Sequence, residues 1–302
     1  MSVWNPVSSE PTQGSPAPRS KVTIPSLLEQ KSNAQRISAV TAYDFPSGCL
    51  AEQAGMDIVL VGDSLAMTML GHESTLAVTM DEMLVFTRAV RRGLRQSLLV
   101  ADMPFGSYQA GDREGVRNAI RFVKEAGAEA VKLEGSRATL ARKLVDAEIP
   151  VMGHLGLTPQ AVHRMGGYRV QAKTDDAIAQ LHVEAHQLAE AGCFALVLEG
   201  IPREVAATLT AELPIPTIGI GAGPDCDGQI LVWHDLLGLG CHAPAKFVRR
   251  YGHAADEMRT GLEQYVRDVR AGSFPADSES YHLPRETRSA RVETAVAAPV
   301  RS

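Results

Sequence analysis

Carboxylates, one lysine and one histidine stand at the ends of short apolar runs in this chain: Asp63, Asp102, Lys132, Glu134, His154, Glu199 and Asp235. Side chains of a strand alternate between faces, so Lys132 and Glu134 share one. Glu134 and Glu199 each follow the Gly of an Ala-Gly pair by seven residues, which puts them in the same register and aims both into one mouth. Burying such charges among apolar strands is costly unless they pair or hold a metal. A rim of ordinary ion pairs explains any one of them less strainedly than all of them together. Asp63, Asp102 and Glu134 form an oxygen-only set, which suits a hard divalent cation such as Mg²⁺ with a chelating substrate. Cys and His show no zinc-like spacing. His182 and His186 are four apart, but on an amphipathic helical segment away from the strand ends and not in an H-E-x-x-H order. The segment Gly219–Gly223 lacks G-x-G-x-x-G spacing and reads as a tight turn rather than a phosphate loop. Nucleophile motifs are missing, so covalent catalysis is not indicated. Lys132 has the chemistry for a Schiff base, yet beside an acidic metal site charge stabilisation is the better use of it.

These groups need a scaffold that brings strand ends together. Three times a helical stretch ends in Ala-Gly and an apolar run follows: Met56–Asp63, Ala128–Glu134 and Cys193–Glu199. Gly55, Gly127 and Gly192 suit the left-handed position that closes a helix. The runs are nearly continuous in apolar character, as in strands buried on both faces. Ala39–Tyr43, Leu98–Asp102, Pro150–His154, Pro216–Ile220 and Ile230–Asp235 complete eight candidates. Helices fall between most of them: Thr79 with Glu82 forms a capping box before Met83–Arg92, Asp112 is a cap for Arg113–Ala126, Thr158 with Pro159 opens a short helix ending at Gly166-Gly167, and Thr174 caps Asp175–Ala191. Eight strands alternating with helices over about 250 residues favour a (β/α)₈ TIM barrel of the α/β class, whose site lies at the C-terminal strand ends. The weak point is Gly221–Gly228, too short for a crossover helix, which keeps an open doubly wound sheet as the structural alternative.

The chain has 302 residues, 45% hydrophobic and 22% charged, with a net charge of −5. It can bury a sizeable core, and it presents no general field for nucleic acid or an anionic membrane. No apolar run approaches the roughly 20 residues of a spanning helix, and prolines break Met1–Ser20 where a secretory core would lie. Scattered cysteines (Cys49, Cys193, Cys226, Cys241) read as reduced thiols of a cytoplasmic protein. Residues 1–21 and 276–302 lack apolar periodicity and read as disordered tails around a single domain over 22–275.

Longer segments carry a family resemblance. Val61-Gly-Asp-Ser64, Asp102-Met-Pro-Phe-Gly-Ser-Tyr-Gln109, Val131-Lys-Leu-Glu-Gly135, Gly153-His-Leu-Gly-Leu-Thr-Pro-Gln160, Gly166-Gly-Tyr-Arg-Val-Gln171 and Gly219-Ile-Gly-Ala-Gly-Pro-Asp-Cys-Asp-Gly-Gln229 closely resemble ketopantoate hydroxymethyltransferases, in order, from about Val22 to Pro275. Small departures are Gly71-His-Glu-Ser-Thr75, where the family usually has an Asp-Thr pair, and Val85-Phe86, where a Tyr-His pair is common. The resemblance implies a TIM barrel with one Mg²⁺ per subunit, a 5,10-methylenetetrahydrofolate donor, 3-methyl-2-oxobutanoate as acceptor and 2-dehydropantoate as product, in pantothenate biosynthesis. It implies that Asp63 and Asp102 hold Mg²⁺ with Glu134 completing the shell, that Asp63, Ser64, Asp102 and Lys132 contact the keto acid, and that Glu199 is the proton acceptor. Similar enzymes are cytoplasmic homo-oligomers, typically decamers.

The chemistry agrees with those roles. The hard step removes a proton next to a ketone; Mg²⁺ stabilises the enolate and Lys132 adds positive charge where the oxyanion develops. The base belongs on the side away from the metal, and partial burial of Glu199 would raise its pKa and basicity. His154 reads either as a second layer that orients substrate or Lys132, or as simple packing. Two other readings are a Mg²⁺-dependent C–C lyase or mutase of the phosphoenolpyruvate mutase and isocitrate lyase type, whose K-x-C-G-H-like loop is missing here, and a non-catalytic barrel scaffold, which has no use for a costly charged mouth.

Overall fold

In the computed structural model the eight expected strands are present: β1 (Ile37–Thr41), β2 (Ile58–Val61), β3 (Leu98–Asp102), β4 (Ala130–Glu134), β5 (Val151–Gly156), β6 (Ala195–Glu199), β7 (Thr217–Ile220) and β8 (Gly228–Leu231). All neighbours are parallel, and β8 pairs with β1, so the sheet is a closed barrel and the open-sheet alternative falls. The structure describes residues 19–240 and 243–282; the tails expected over 1–21 and 276–302 lie mostly outside these, as does Cys241. The barrel unit runs to Gly252, and a second, small unit starts at His253.

The helices are α1 (Ile24–Ser32), α2 (Phe45–Gln53), α3 (Leu65–Thr68), α4 (Met80–Gly93), α5 (Asp112–Ala126), α6 (Ala138–Asp146), α7 (Val162–Met165), α8 (Asp175–Glu190), α9 (Arg203–Glu212), α10 (Trp233–Leu237) and, in the second unit, α11 (Ala254–Ala271). Thr79 and Glu82 form the expected capping box, and Thr174 accepts from the Ala177 amide. Gly55, Gly127 and Gly192 have positive φ, as the Ala-Gly repeat requires.

Three local expectations are corrected. Asp112 is the first residue of α5 rather than its cap, because its carboxylate turns to Lys143 at 2.6 Å. Thr158 makes no capping bond; its hydroxyl faces the Met165 sulfur, and a 3₁₀ turn over Pro159–Ala161 precedes α7. Asp235 ends no strand. The chain leaves β8 at Leu231 because the Thr41 hydroxyl accepts the Trp233 N–H, and Asp235 is then wound into α10.

The seventh connection is indeed helix-free. Residues 221–227 can reach roughly 25 Å when extended, whereas a four-residue strand such as β7 spans only about 13 Å. The return to the bottom therefore needs no helix.

Two cores follow from strand alternation. One fills the barrel with Ile37, Ala39, Ile58, Leu60, Leu98, Val100, Ala130, Met152, Ala195, Val197, Ile218 and Ile230, closed below by Val22 and by Leu27 of α1. The other lies between strands and helices and includes Val59, Leu99, Val131, Leu133, Leu196 and Leu198. No described helix is long and apolar enough to cross a membrane.

Candidate active site

Following the inward-facing positions up each strand leads from the apolar filling to polar groups: Thr41 above Ala39, Asp102 above Val100, Lys132 and Glu134 above Ala130, His154 above Met152, Glu199 above Val197. Register then sets the neighbours. Asp102 lies opposite Lys132, Glu134 opposite His154, and Glu199 opposite Gly156. Asp63 sits two residues beyond β2, and Ser64 precedes α3.

Asp63, Asp102 and Glu134 each offer a carboxylate oxygen within 4.8 Å of the others, and all three are buried. Lys132 Nζ lies 2.9 Å from Asp102 Oδ1 and 3.4 Å from Glu134 Oε1. His154 stands between two carboxylates: Nδ1 is 3.4 Å from Glu134 Oε1 and 3.2 Å from Lys132 Nζ, and Nε2 is 3.2 Å from Glu199 Oε2, though not aligned for a hydrogen bond. Asp102 Oδ1 likewise has no aligned hydrogen-bond donor.

The charges are unevenly settled. Burial, with Asp102 and Glu134 nearby, pushes the Asp63 carboxyl well above its ordinary range. Burial also raises Asp102, against the pull of Lys132. Burial works against an ionised Glu134, but Lys132 and His154 outweigh it and hold it down to about 2. Burial and Lys132 oppose a charged His154, yet the Glu134 and Glu199 partners lift it to about 9. For Lys132 the three carboxylates overcome burial and raise it. An oxygen-only cluster with surplus negative charge and an unaligned Asp102 oxygen is fitted to a hard divalent cation.

All residues expected at the site are thus in one mouth, Asp235 excepted. His182 and His186 face Glu212 on the outer surface, at 2.8 and 3.4 Å. Several site residues carried no signal of their own. Gln160 donates its backbone N–H to Glu134 Oε2 (2.9 Å) and its side-chain amide to Asp63 Oδ2 (2.9 Å) and the Met103 carbonyl, while Tyr108 donates to its Oε1 at 2.6 Å. Tyr43, fully buried, contacts Ser64 Oγ at 2.8 Å, and burial pushes its phenol up to about 12. Gln160 and Tyr108 sit in the long motifs quoted above, but nothing in their spacing marks them as clamps.

The sequence matches the family model "Ketopantoate hydroxymethyltransferase" over residues 21–277. It is 60% identical over 273 residues to the 3-methyl-2-oxobutanoate hydroxymethyltransferase of Koribacter versatilis (strain Ellin345), covering 90% of this chain and 92% of that one. It is 53% identical over 267 residues to the enzyme of the same name from Moorella thermoacetica, covering 88% and 99%. Among solved structures, phosphonopyruvate hydrolase in complex with oxalate and Mg²⁺ is similar with a TM-score of 0.54 at 16% identity, over 90% of this chain and 98% of that chain. A 2,3-dimethylmalate lyase of the PEP mutase/isocitrate lyase superfamily gives 0.56 at 17% identity, over 92% and 94%. These two likenesses are of fold.

Proposed function

The chain belongs to the ketopantoate hydroxymethyltransferase family, and on that premise we propose that it transfers a hydroxymethyl group from 5,10-methylenetetrahydrofolate to 3-methyl-2-oxobutanoate, giving 2-dehydropantoate for pantothenate biosynthesis. The observation that carries this reading is the buried triad Asp63, Asp102 and Glu134 beside Lys132, with Glu199 on the far side of His154. In this reading Asp63 and Asp102 hold one Mg²⁺ per subunit and Glu134 completes its shell. When bound, the ion supplies Lewis acidity at the keto oxygen, which lowers the cost of removing the neighbouring proton.

The chain's own residues do the rest. Asp63, Ser64, Asp102 and Lys132 line the keto acid, and the buried Lys132 ammonium faces the oxygen on which negative charge develops. Glu199 accepts the C3 proton; its side chain is 16% exposed, against 3% for Glu134, so substrate can reach it. His154, whose Nδ1 lies 3.2 Å from Lys132 Nζ, orients Lys132. The resulting carbon nucleophile forms its bond to the donor's methylene carbon as the first of that carbon's two carbon–nitrogen bonds breaks; water then displaces the second nitrogen and supplies the new hydroxyl, and the C3 proton and one proton of the water end on the two nitrogens of the departing tetrahydrofolate. A cavity of about 870 Å³ beside Glu134 and Gln160, lined among others by Phe105, Tyr108, Arg137 and Arg164, leaves room for a donor far larger than the keto acid. The lyase reading rests on fold likeness alone. We also take the protein to be cytoplasmic and a homo-oligomer, a decamer in the family's usual form, which light scattering tests.

The decisive assay is exchange of the C3 hydrogen of 3-methyl-2-oxobutanoate in deuterated water, followed by NMR. Glu199→Gln should keep Mg²⁺-dependent keto-acid binding while slowing exchange by at least about 100-fold. Exchange at the wild-type rate in that variant overturns the base, and wild-type exchange that survives exhaustive chelation overturns the metal.

A further inference from the structure

A single file of hydrogen bonds runs from the start of α10 to the rim of the mouth. The Trp233 N–H donates to Thr41 Oγ1 at 2.9 Å, Thr41 Oγ1 donates to the Tyr43 oxygen at 2.8 Å, and the Tyr43 oxygen meets Ser64 Oγ at 2.8 Å. Thr41 and Tyr43 are 4% and 1% exposed. A backbone N–H can only donate, so Thr41 must accept there and has one proton left to give. Given to Tyr43, it frees the Tyr43 proton for Ser64, and every buried group is satisfied. In the reverse order Thr41 would accept twice and hold a buried proton with no acceptor, which is the expensive arrangement. Were Ser64 to donate to Tyr43 as well, the Tyr43 proton would be left with only the nearby Thr68 hydroxyl, which is turned to the Ser64 carbonyl and makes no aligned hydrogen bond with the phenol; the polarity therefore runs outward, Ser64 Oγ accepts from Tyr43, and its own proton has no acceptor among the described residues. Gly62 keeps the hydroxyl in this place, since a Cβ there would come within 2.9 Å of Ser64 Oγ.

We propose that Thr41 and Tyr43 are positioning residues that fix the direction of the Ser64 hydroxyl, so that it enters the mouth as a hydrogen-bond donor to an anionic substrate. The proposal rests on the reading above in which Ser64 touches the keto acid. Its chemical sense is selection. The Asp63 and Asp102 carboxylates, engaged with the metal in that reading, give a substrate carboxylate no hydrogen-bond donor, whereas Lys132 and an outward-donating Ser64 do. With its proton turned inward, Ser64 would show a substrate carboxylate its lone pairs.

The test is a double-mutant cycle read in steady-state kinetics with saturating Mg²⁺ and donor. Ser64→Ala should raise the KM for 3-methyl-2-oxobutanoate about tenfold with a smaller change in kcat, the loss of one hydrogen bond to a charged group. Tyr43→Phe should raise the same KM by up to a similar factor, and the double variant should be no worse than Ser64→Ala, because both remove one interaction. Thr41→Val should mimic Tyr43→Phe, and Thr41→Ser, which keeps the hydroxyl, should restore the wild-type KM. Ser64→Ala with an unchanged KM overturns the substrate contact itself. A Ser64→Ala effect with none from Tyr43→Phe, or effects that multiply in the double variant, overturns the relay alone. Loss of folding in Tyr43→Phe shifts the decision to the Thr41 pair, where equal KM values for Val and Ser overturn it.

Discussion

Asp63, Asp102 and Glu134 share a buried mouth with Lys132, and the four do not balance. Lys132 leans on Asp102 and Glu134, so the unfavourable charge concentrates on Asp63, whose carboxyl is driven well above its usual range by burial and by those two neighbours. Asparagine at 63 removes that charge at constant size and leaves an oxygen for the Gln160 amide, which now reaches Asp63 Oδ2 at 2.9 Å. Metal-free Asp63→Asn should therefore unfold at or above the wild-type temperature. Mg²⁺ at a hundred times its Kd should stabilise the wild type by about 2.7 kcal/mol and the variant hardly at all. Calorimetry with and without chelator reads both; a retained Mg²⁺ shift in the variant would remove Asp63 from the ligand set.

Elements decide where these groups meet. The end of β5 is held against β6 by the Leu157 N–H on the Glu199 carbonyl, 2.8 Å away. Gly156 lies in that contact with φ +90, and a Cβ there would come within 2.2 Å of the same carbonyl. Gly156→Ala must push the strand ends apart just where Glu199 projects. It should cost about 2–4 kcal/mol in urea unfolding and should lower C3–H exchange far more than Mg²⁺ affinity measured by titration calorimetry; parallel losses would mean general collapse of the mouth. The strand pattern itself was legible. Period-two alternation put Lys132 and Glu134 on one face, as observed, and the Ala-Gly repeat aimed Glu134 and Glu199 into one mouth, where both approach His154, although in the strand ladder Glu134 lines up through His154 with Val197, two residues before Glu199. What was not legible came from approach across the fold. Gln160 reaches Asp63 from the loop after β5, and Tyr108 reaches Gln160 from the loop after β3; no local period encodes such reach. Nor is the place of Asp235 encoded locally, because the hydroxyl that ends β8 early belongs to β1, far away in sequence.

Across the whole barrel the two ends use the same residue type in opposite ways. At the bottom, carboxylates just before strands are fully engaged with backbone. Asp57 accepts the Ser38 N–H at 2.8 Å, Glu129 the Leu99 N–H at 3.1 Å, and Asp227 the Thr217 N–H at 2.8 Å, with Lys21 and Arg91 on Glu129, Lys31 on Asp227 and Arg19 on Asp57. At the mouth three buried carboxylates stand within 4.8 Å of one another, and burial raises Asp63 and Asp102. Helix α1 closes the lower end, with Leu27 wholly buried in the same cluster as the inward side chains of the strands. Stability should then be lost at the floor without touching the chemistry above it. Leu27→Ala should cost about 2–4 kcal/mol, read as a lower urea midpoint at unchanged slope. At a temperature where the variant is fully folded, its kcat and its KM for the keto acid should stay within about twofold of wild type, since Leu27 belongs to the apolar cluster inside the barrel, which includes no polar group of the mouth. A kcat that falls in step with stability would show that the apolar layers transmit strain from floor to site, and that the upper carboxylates depend on the lower core for more than a place to stand.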